Sequence, residues 1–236
     1  MTAAAICQRI AIIVPVLDEA ATLTGQLQAL QAWRAAGAEL IVVDGGSRDA
    51  SRQLAAPLAT TVIAARRGRA RQMNAGAAQT QREILVFLHA DTRLPDDALS
   101  HIANAIDAGA AWGRFDVRID GRLRGLAMVA ALMNGRSRLT GIATGDQAIF
   151  VTRAAFTAAG AYPDQPLMED IVLSRRLRAL GWPANLRARV TTSGRRWERH
   201  GLWRTILAMW WLRLRFFLGA RPADLARDYG YAPDEH

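Results

Sequence analysis

Short apolar runs alternate with stretches whose hydrophobic residues recur at helical spacing. The most continuous run, Ile84-Leu85-Val86-Phe87-Leu88, has no polar interruption and predicts a strand buried on both faces. Further runs at 10–16, 40–43, 60–65, 147–152 and 184–191 predict strands as well. Pro15 cannot donate to a ladder, so the strand 10–16 should end or lie at an edge there. Over 111–120, Phe115, Val117 and Ile119 alternate with Arg114, Asp116, Arg118 and Asp120, the pattern of a half-buried strand. Helical spacing covers 20–36 up to Gly37, a segment starting near 50, a stretch from Pro95 to Gly109, 122–139, 168–180 up to Gly181, and 202–218.

The order strand, loop, helix repeats through the first half of the chain. It predicts an α/β fold with a mostly parallel central sheet flanked by helices. No repeat or break in composition interrupts it, so 1–200 reads as one domain, with 201–236 a C-terminal amphipathic helix and tail. In that helix Arg204, Ala208 and Arg215 share a narrow polar stripe and Arg213 lies opposite. Trp203, Trp210 and Trp211 beside these arginines suit an interfacial helix on anionic lipid, or equally one packed on the domain or a second subunit. Membrane contact or a homodimer through 202–218 is therefore expected.

Composition narrows the field. A 51% hydrophobic and 22% charged chain of 236 residues has enough apolar material for a full core and is not disordered. The net charge of +9 is carried by arginine, there being no lysine, and favours nucleotides or anionic lipid as partners. No nucleic-acid module accompanies it, so nucleic acid is not an expected partner. The lone Cys7 excludes an internal disulfide and suits a reducing compartment. Residues 1–9 lack the long apolar core of a secretory signal, and 202–218 is interrupted by arginine. The expected location is cytoplasmic, peripheral on the inner face of the cell membrane.

Four groups of residues can carry chemistry. Asp18 and Glu19 follow the first strand and Asp44 ends the second, where ligands of open α/β sheets bind. Asp44 can accept from the edge of a nucleobase; Asp18 and Asp49 suit helix capping equally well. The arginines Arg66, Arg67, Arg69 and Arg71 around Gly68 suit phosphate oxygens or a solvated basic face. Their spacing is not that of a Walker loop, and no Gly-x-Gly-x-x-Gly follows the first strand. His89 and Asp91 stand just beyond the central strand, where a hard cation and its phosphate ligand would sit. Glu169 and Asp170 precede a helix, whose N-terminus favours an ionised carboxylate fit to act as a base.

In this order the groups resemble the family-two glycosyltransferases of the GT-A fold, from Ile12 to about Gly181. The motifs are Val14-Pro15-Val16-Leu17-Asp18-Glu19, Val43-Asp44-Gly45-Gly46-Ser47-Arg48-Asp49, Arg69 to Gly76, His89-Ala90-Asp91, Gly145-Asp146-Gln147 and Glu169-Asp170. The resemblance implies an inverting, hexosyltransferase-like enzyme with a UDP- or GDP-linked sugar donor, a hydroxyl acceptor that is lipid-linked if the membrane reading holds, and Mn²⁺ or Mg²⁺. It places Pro15, Glu19, Asp44, Arg66, Arg69, Gln72, Asp91 and Asp146 about the donor. Asp170 would be the base with Glu169 beside it, and Asp91, His89 and His200 the metal ligands. His89 departs from the family pattern, standing where the first Asp of Asp-x-Asp is usual, as in a short bacterial subgroup. A sugar-1-phosphate nucleotidyltransferase, or a nucleotide-binding pseudoenzyme, is the alternative.

Overall fold

The computed structural model describes residues 2–231. Its eight strands are β1 (Ile10–Val16), β2 (Glu39–Asp44), β3 (Thr61–Ala64), β4 (Ile84–Phe87), β5 (Thr92–Arg93), β6 (Trp112–Asp120), β7 (Ile149–Thr152) and β8 (Ala184–Ser193). They form one sheet in the order β3-β2-β1-β4-β7-β6-β8-β5. The β1·β2, β2·β3, β1·β4 and β6·β8 pairings are parallel, and the β4·β7, β6·β7 and β5·β8 pairings antiparallel. The expected α/β architecture is thus borne out as a mixed sheet flanked by helices.

Alternation along the strands sends side chains to both faces. Ile12, Val14 and Val86 join one apolar cluster, and Ala11, Ile13, Leu85 and Phe87 another on the opposite face. Burying both faces makes β1 and β4 apolar without interruption, which is why they were legible as runs. Pro15 lies inside β1, which is central rather than at an edge. The β4 pairing ends at Ile13, whose carbonyl accepts from the Leu88 N–H at 3.0 Å. Pro15 faces that same side two residues later, beyond the end of β4, so its missing N–H breaks no ladder bond.

Several expectations need correction. The helical stretch 20–36 is two helices, Ala20–Gln28 and Gln31–Ala35, parted at Ala29–Leu30. Arg69 to Asn74 is helix rather than loop: Gly68, at φ 134°, turns the chain into the helix Arg69–Ala78. The polar side of β6 divides: Arg118 and Asp120 are exposed as expected, but Arg114 and Asp116 are buried and paired with each other, and Arg138 reaches the same carboxylate. Four helices went unforeseen, Ala3–Cys7, Arg153–Ala158, Arg195–His200 and Pro222–Asp228.

The helix Leu202–Phe217 lies against the domain. Its Leu212 packs with Ile142, Met168, Ile171 and Leu225 in a third apolar cluster. Met168 and Ile171 flank Glu169 and Asp170, so this packing helps to fix the acidic pair. Residues 232–236 of the expected tail lie outside the described residues.

Candidate active site

Because β1, β2 and β4 run parallel, their carboxyl ends open on one edge of the sheet. The loops leaving β1 and β2 are knitted together there. The Asp18 N–H donates to Ser47 Oγ at 3.0 Å and the Glu19 N–H to Ser51 Oγ at 2.8 Å. In return the Arg48 N–H donates to Asp18 Oδ1 at 2.7 Å, and the Ala20 N–H to Asp49 Oδ2 at 2.9 Å. Asp18 and Asp49 therefore brace the loops, and neither is the N-cap residue of the helix that follows it.

Asp44 is buried and accepts from the Ser47 N–H at 3.1 Å and the Gly46 N–H at 3.3 Å, shaping its own turn. Gln72 donates both amide hydrogens, to the Val16 carbonyl at 2.9 Å and the Val43 carbonyl at 2.8 Å. It ties β1 to β2 and also lines the hollow that holds Asp91. A Cβ on Gly45 would meet the Gln72 side chain at 2.9 Å, so the glycine admits this brace.

Two hollows flank the braced loops. One, of ≈ 450 Å³, is lined by Asp18, Gly45, Gly46, Arg48, Arg66 and Arg67 among others. The second, of ≈ 160 Å³, holds Pro15, Glu19, Arg69, His89, Asp91 and Tyr231. A third of ≈ 160 Å³ continues past Arg69 to Glu169, Arg196 and Tyr229. Of the four arginines in the 66–71 run, Arg71 turns away to Asp164 at 2.6 Å. Arg66, Arg67 and Arg69 remain at the hollows.

Arg69 is the hub. Burial alone would lower the pKa of its guanidinium, but the surrounding groups, Glu169 first and then Tyr229, Asp146 and Asp91, raise it. Arg69 lines the hollow of Asp91 and also that of Glu169, and His89 of the first hollow reaches Asp146, so positions distant in sequence are drawn to one region. The Asp146 side chain, beside His89, is 45% exposed. Burial pushes its pKa up, but the hydrogen bond and charge of His89, with Arg69 and Arg213, outweigh that and hold it below the usual value. His89 Nδ1 is 3.4 Å from Asp146 Oδ1.

The acidic pair opens the helix Glu169–Leu180 after Met168, which adopts a left-handed φ of 66°. Asp170 Oδ2 accepts from the Gly145 N–H at 3.0 Å, and Oδ1 from the Ile171 N–H at 2.7 Å. Glu169 is buried, and burial, then the charge of Asp170, push its carboxyl up to about 7, with Arg69 opposing.

The site residues expected from sequence do not all converge. His200 lines a separate hollow of ≈ 410 Å³ with Arg196, Arg199 and Arg204, and so does not join Asp91 and His89. Among the described residues no three His, Cys, Asp or Glu side chains gather to hold an ion. The Asp91 carboxylate, touched by Thr92 Oγ1 at 3.4 Å, suits a cation shared with a diphosphate rather than one held by protein alone.

Sequence reasoning missed the segment Tyr229–Tyr231. Tyr231 lines the Asp91 hollow with the Arg67 guanidinium 5.3 Å from its ring, and Arg196 stacks on Tyr229 at 3.5 Å. An aromatic pair around Gly230 was the only available signal.

Solved structures of this shape include a fragment of S. aureus TarS in complex with UDP, at a TM-score of 0.63 and 15% identity over 78% of this chain and 60% of that one. The mannosyltransferase PcManGT from Pyrobaculum calidifontis, in complex with GDP-Man and Mn²⁺, gives 0.56 and 23% over 78% and 56%. Glucosyl-3-phosphoglycerate synthase from Mycobacterium tuberculosis, with Mg²⁺ and UDP, gives 0.57 and 18% over 81% and 74%. The chain thus spans less than two thirds of the TarS and PcManGT chains. No curated protein sequence matches it. The sequence pattern of glycosyl transferase family 2, however, runs from Ala11 to Thr152, more than half of the chain, and the protein belongs to that family.

Proposed function

We propose that the protein is an inverting glycosyltransferase that moves a sugar from a nucleoside-diphosphate donor to a hydroxyl acceptor. The observation that carries this reading is the pair of hollows at the carboxyl edge of the sheet in which Arg69 stands with Asp91 and His89 on one side and with Glu169 on the other. The similar folds that hold UDP or GDP-Man with Mn²⁺ or Mg²⁺ support it.

In this reading the nucleoside occupies the hollow lined by Asp18, Gly46 and Arg66, and the diphosphate extends toward Arg69. Guanidinium groups match phosphate oxygens and offset the charge that grows as the sugar–phosphate bond breaks. A divalent cation carried by Asp91 and the diphosphate, Mn²⁺ or Mg²⁺, would supply further positive charge there. Asp170 takes the proton of the acceptor hydroxyl, whose oxygen attacks the anomeric carbon from the face opposite the departing phosphate. Bond electrons leave with the nucleoside diphosphate, so one displacement inverts the centre. Gly145 fixes the Asp170 carboxylate, and His89 holds Asp146 on the sugar side.

The experiment is a panel of UDP- and GDP-linked sugars scored for hydrolysis with Mn²⁺, with Mg²⁺ and in chelator. Cleavage of one donor that is lost in Asp170→Asn supports the reading. Failure to bind or cleave any donor rejects it.

A further inference from the structure

The helix Leu202–Phe217 is inside out. Two of its three arginines turn toward protein, Arg213 half-buried and Arg215 paired with Asp228, while Arg204 is exposed at the rim of the hollow with Arg196 and Arg199. Its outward face carries Trp203, Leu207, Trp210, Trp211, Leu214 and Phe217, all at least half exposed, with Trp210 at 68%. A helix on a water-facing surface shows the opposite arrangement.

A second helix extends this face. Leu126–Thr140 buries Leu126, Val129 and Ala130 and exposes Met128, Leu132 and Leu139, the last at 83%. The two helices start beside each other, for a Cβ on Gly125 would meet Leu202 at 2.7 Å. Single exposed apolar residues are ordinary; six large ones on one helix face, with three more on the neighbouring helix, mark an interaction surface.

We propose that this two-helix face docks the protein on an anionic membrane surface. Exposed arginines border it: Arg122 and Arg124 lead into one helix, Arg199 and Arg204 stand at the start of the other, and Arg221 follows its end. Arginine rims around tryptophan are complementary to a bilayer of anionic lipid. A second copy of this chain would instead bring like-charged rims together. Among the described residues no helix is long and apolar enough to cross a membrane, so the contact is with one leaflet. The hollow lined by Arg199 and Arg204 opens beside the docked face and continues past Tyr229 toward Glu169, which gives a membrane-borne acceptor a way to the site.

The test is flotation of the full chain with vesicles of phosphatidylcholine alone and with added phosphatidylglycerol, beside light scattering of the free protein. The expected result is flotation with anionic vesicles, a blue shift of tryptophan emission, and a loss of about tenfold or more in binding for Trp210→Glu with Trp211→Glu. Leu132→Glu with Leu139→Glu, on the other helix, weakens binding in the same direction and serves if the first variant does not fold. Absence of flotation with either vesicle overturns the proposal. So does a dimer in solution that these substitutions dissolve while flotation is absent, which would assign the face to a second copy. Flotation needs no donor, and soluble donor hydrolysis needs no vesicle, so the docking and the catalytic reading fail separately.

Discussion

The His89 ring lies so close to Gly145 that a Cβ added there would come within 2.2 Å of its Cε1. The contact joins two loops at the same end of adjacent antiparallel strands, one after β4 and one before β7. Gly145 also donates its N–H to Asp170, and Asp146 next to it faces His89. Gly145→Ala is expected to cost about 1–3 kcal/mol of stability through overpacking. It should lower donor turnover by more than that loss explains, because His89, Asp146 and Asp170 shift together. Thermal melts set beside kcat on the same preparation check this; unchanged kcat in a folded variant counts against the linkage.

Removing the proposed base is the sharper kinetic test. Asp170→Asn keeps the shape and can still accept from the Gly145 N–H, so the fold should survive. Turnover is expected to fall by about 10²- to 10⁴-fold, the usual range for a positioned acid–base group, with little change in nucleotide affinity. Calorimetric titration with UDP and GDP separates binding from chemistry.

Glu169 gives stability a pH dependence of definite sign. Its carboxyl rises from 4.5 to about 7 in the folded chain. Below pH 4.5 both folded and unfolded forms hold the proton, and the effect is absent. Between those values only the folded form keeps it, so stability falls as pH rises and levels off above about 7. The full span corresponds to roughly 3 kcal/mol. Denaturant midpoints across this window should slope for the wild type, and flatten in Glu169→Gln.

Tyr231 occupies a place the donor needs. The Asp91 hollow measures ≈ 160 Å³, below the roughly 300–1,000 Å³ of ordinary small-molecule sites. Entry of a nucleotide sugar therefore displaces the ring from Arg67. Tyr231→Ala removes that contact, and nucleotide affinity should rise by about two- to fivefold. Weaker binding would show instead that the ring holds the ligand.

Away from the site, Asp116 holds buried Arg114 and also meets Arg138. Burial lowers the pKa of Arg114, and the Asp116 carboxylate restores part of its preference for charge. Asp116→Ala leaves an unpaired buried cation and should cost about 3–5 kcal/mol, read from the shift in denaturant midpoint.

Legibility in the sequence followed how local each cause was. β4 was visible because burial on both faces demands an unbroken apolar run, and the Gly45-Gly46 turn because its chemistry is contiguous. The pairing of Asp116 with Arg138 is set by packing of a helix on β6, so alternation alone put Asp116 in solvent. Asp91 and Glu169 stood out as acidic residues beside element ends, while their placement on either side of Arg69 depends on the sheet order. Gln72, expected beside the donor, lines the Asp91 hollow and also braces two backbone carbonyls, a role that no side-chain pattern advertises. His200 sits near the acidic groups in motif order but is carried elsewhere by the helix Arg195–His200. Tyr231 was beyond reach, since nothing near it in sequence shares its hollow.

The Gln72 brace has a kinetic consequence. With the ends of β1 and β2 pinned to one amide, the loops they carry cannot open independently, and in the proposed reading that half of the cleft is preassembled for the nucleoside. Rearrangement during turnover would then fall to Tyr229 to Tyr231, which line the hollows of Asp91 and Glu169. Such a division would favour an ordered cycle, the nucleotide landing on a rigid seat before the second substrate enters.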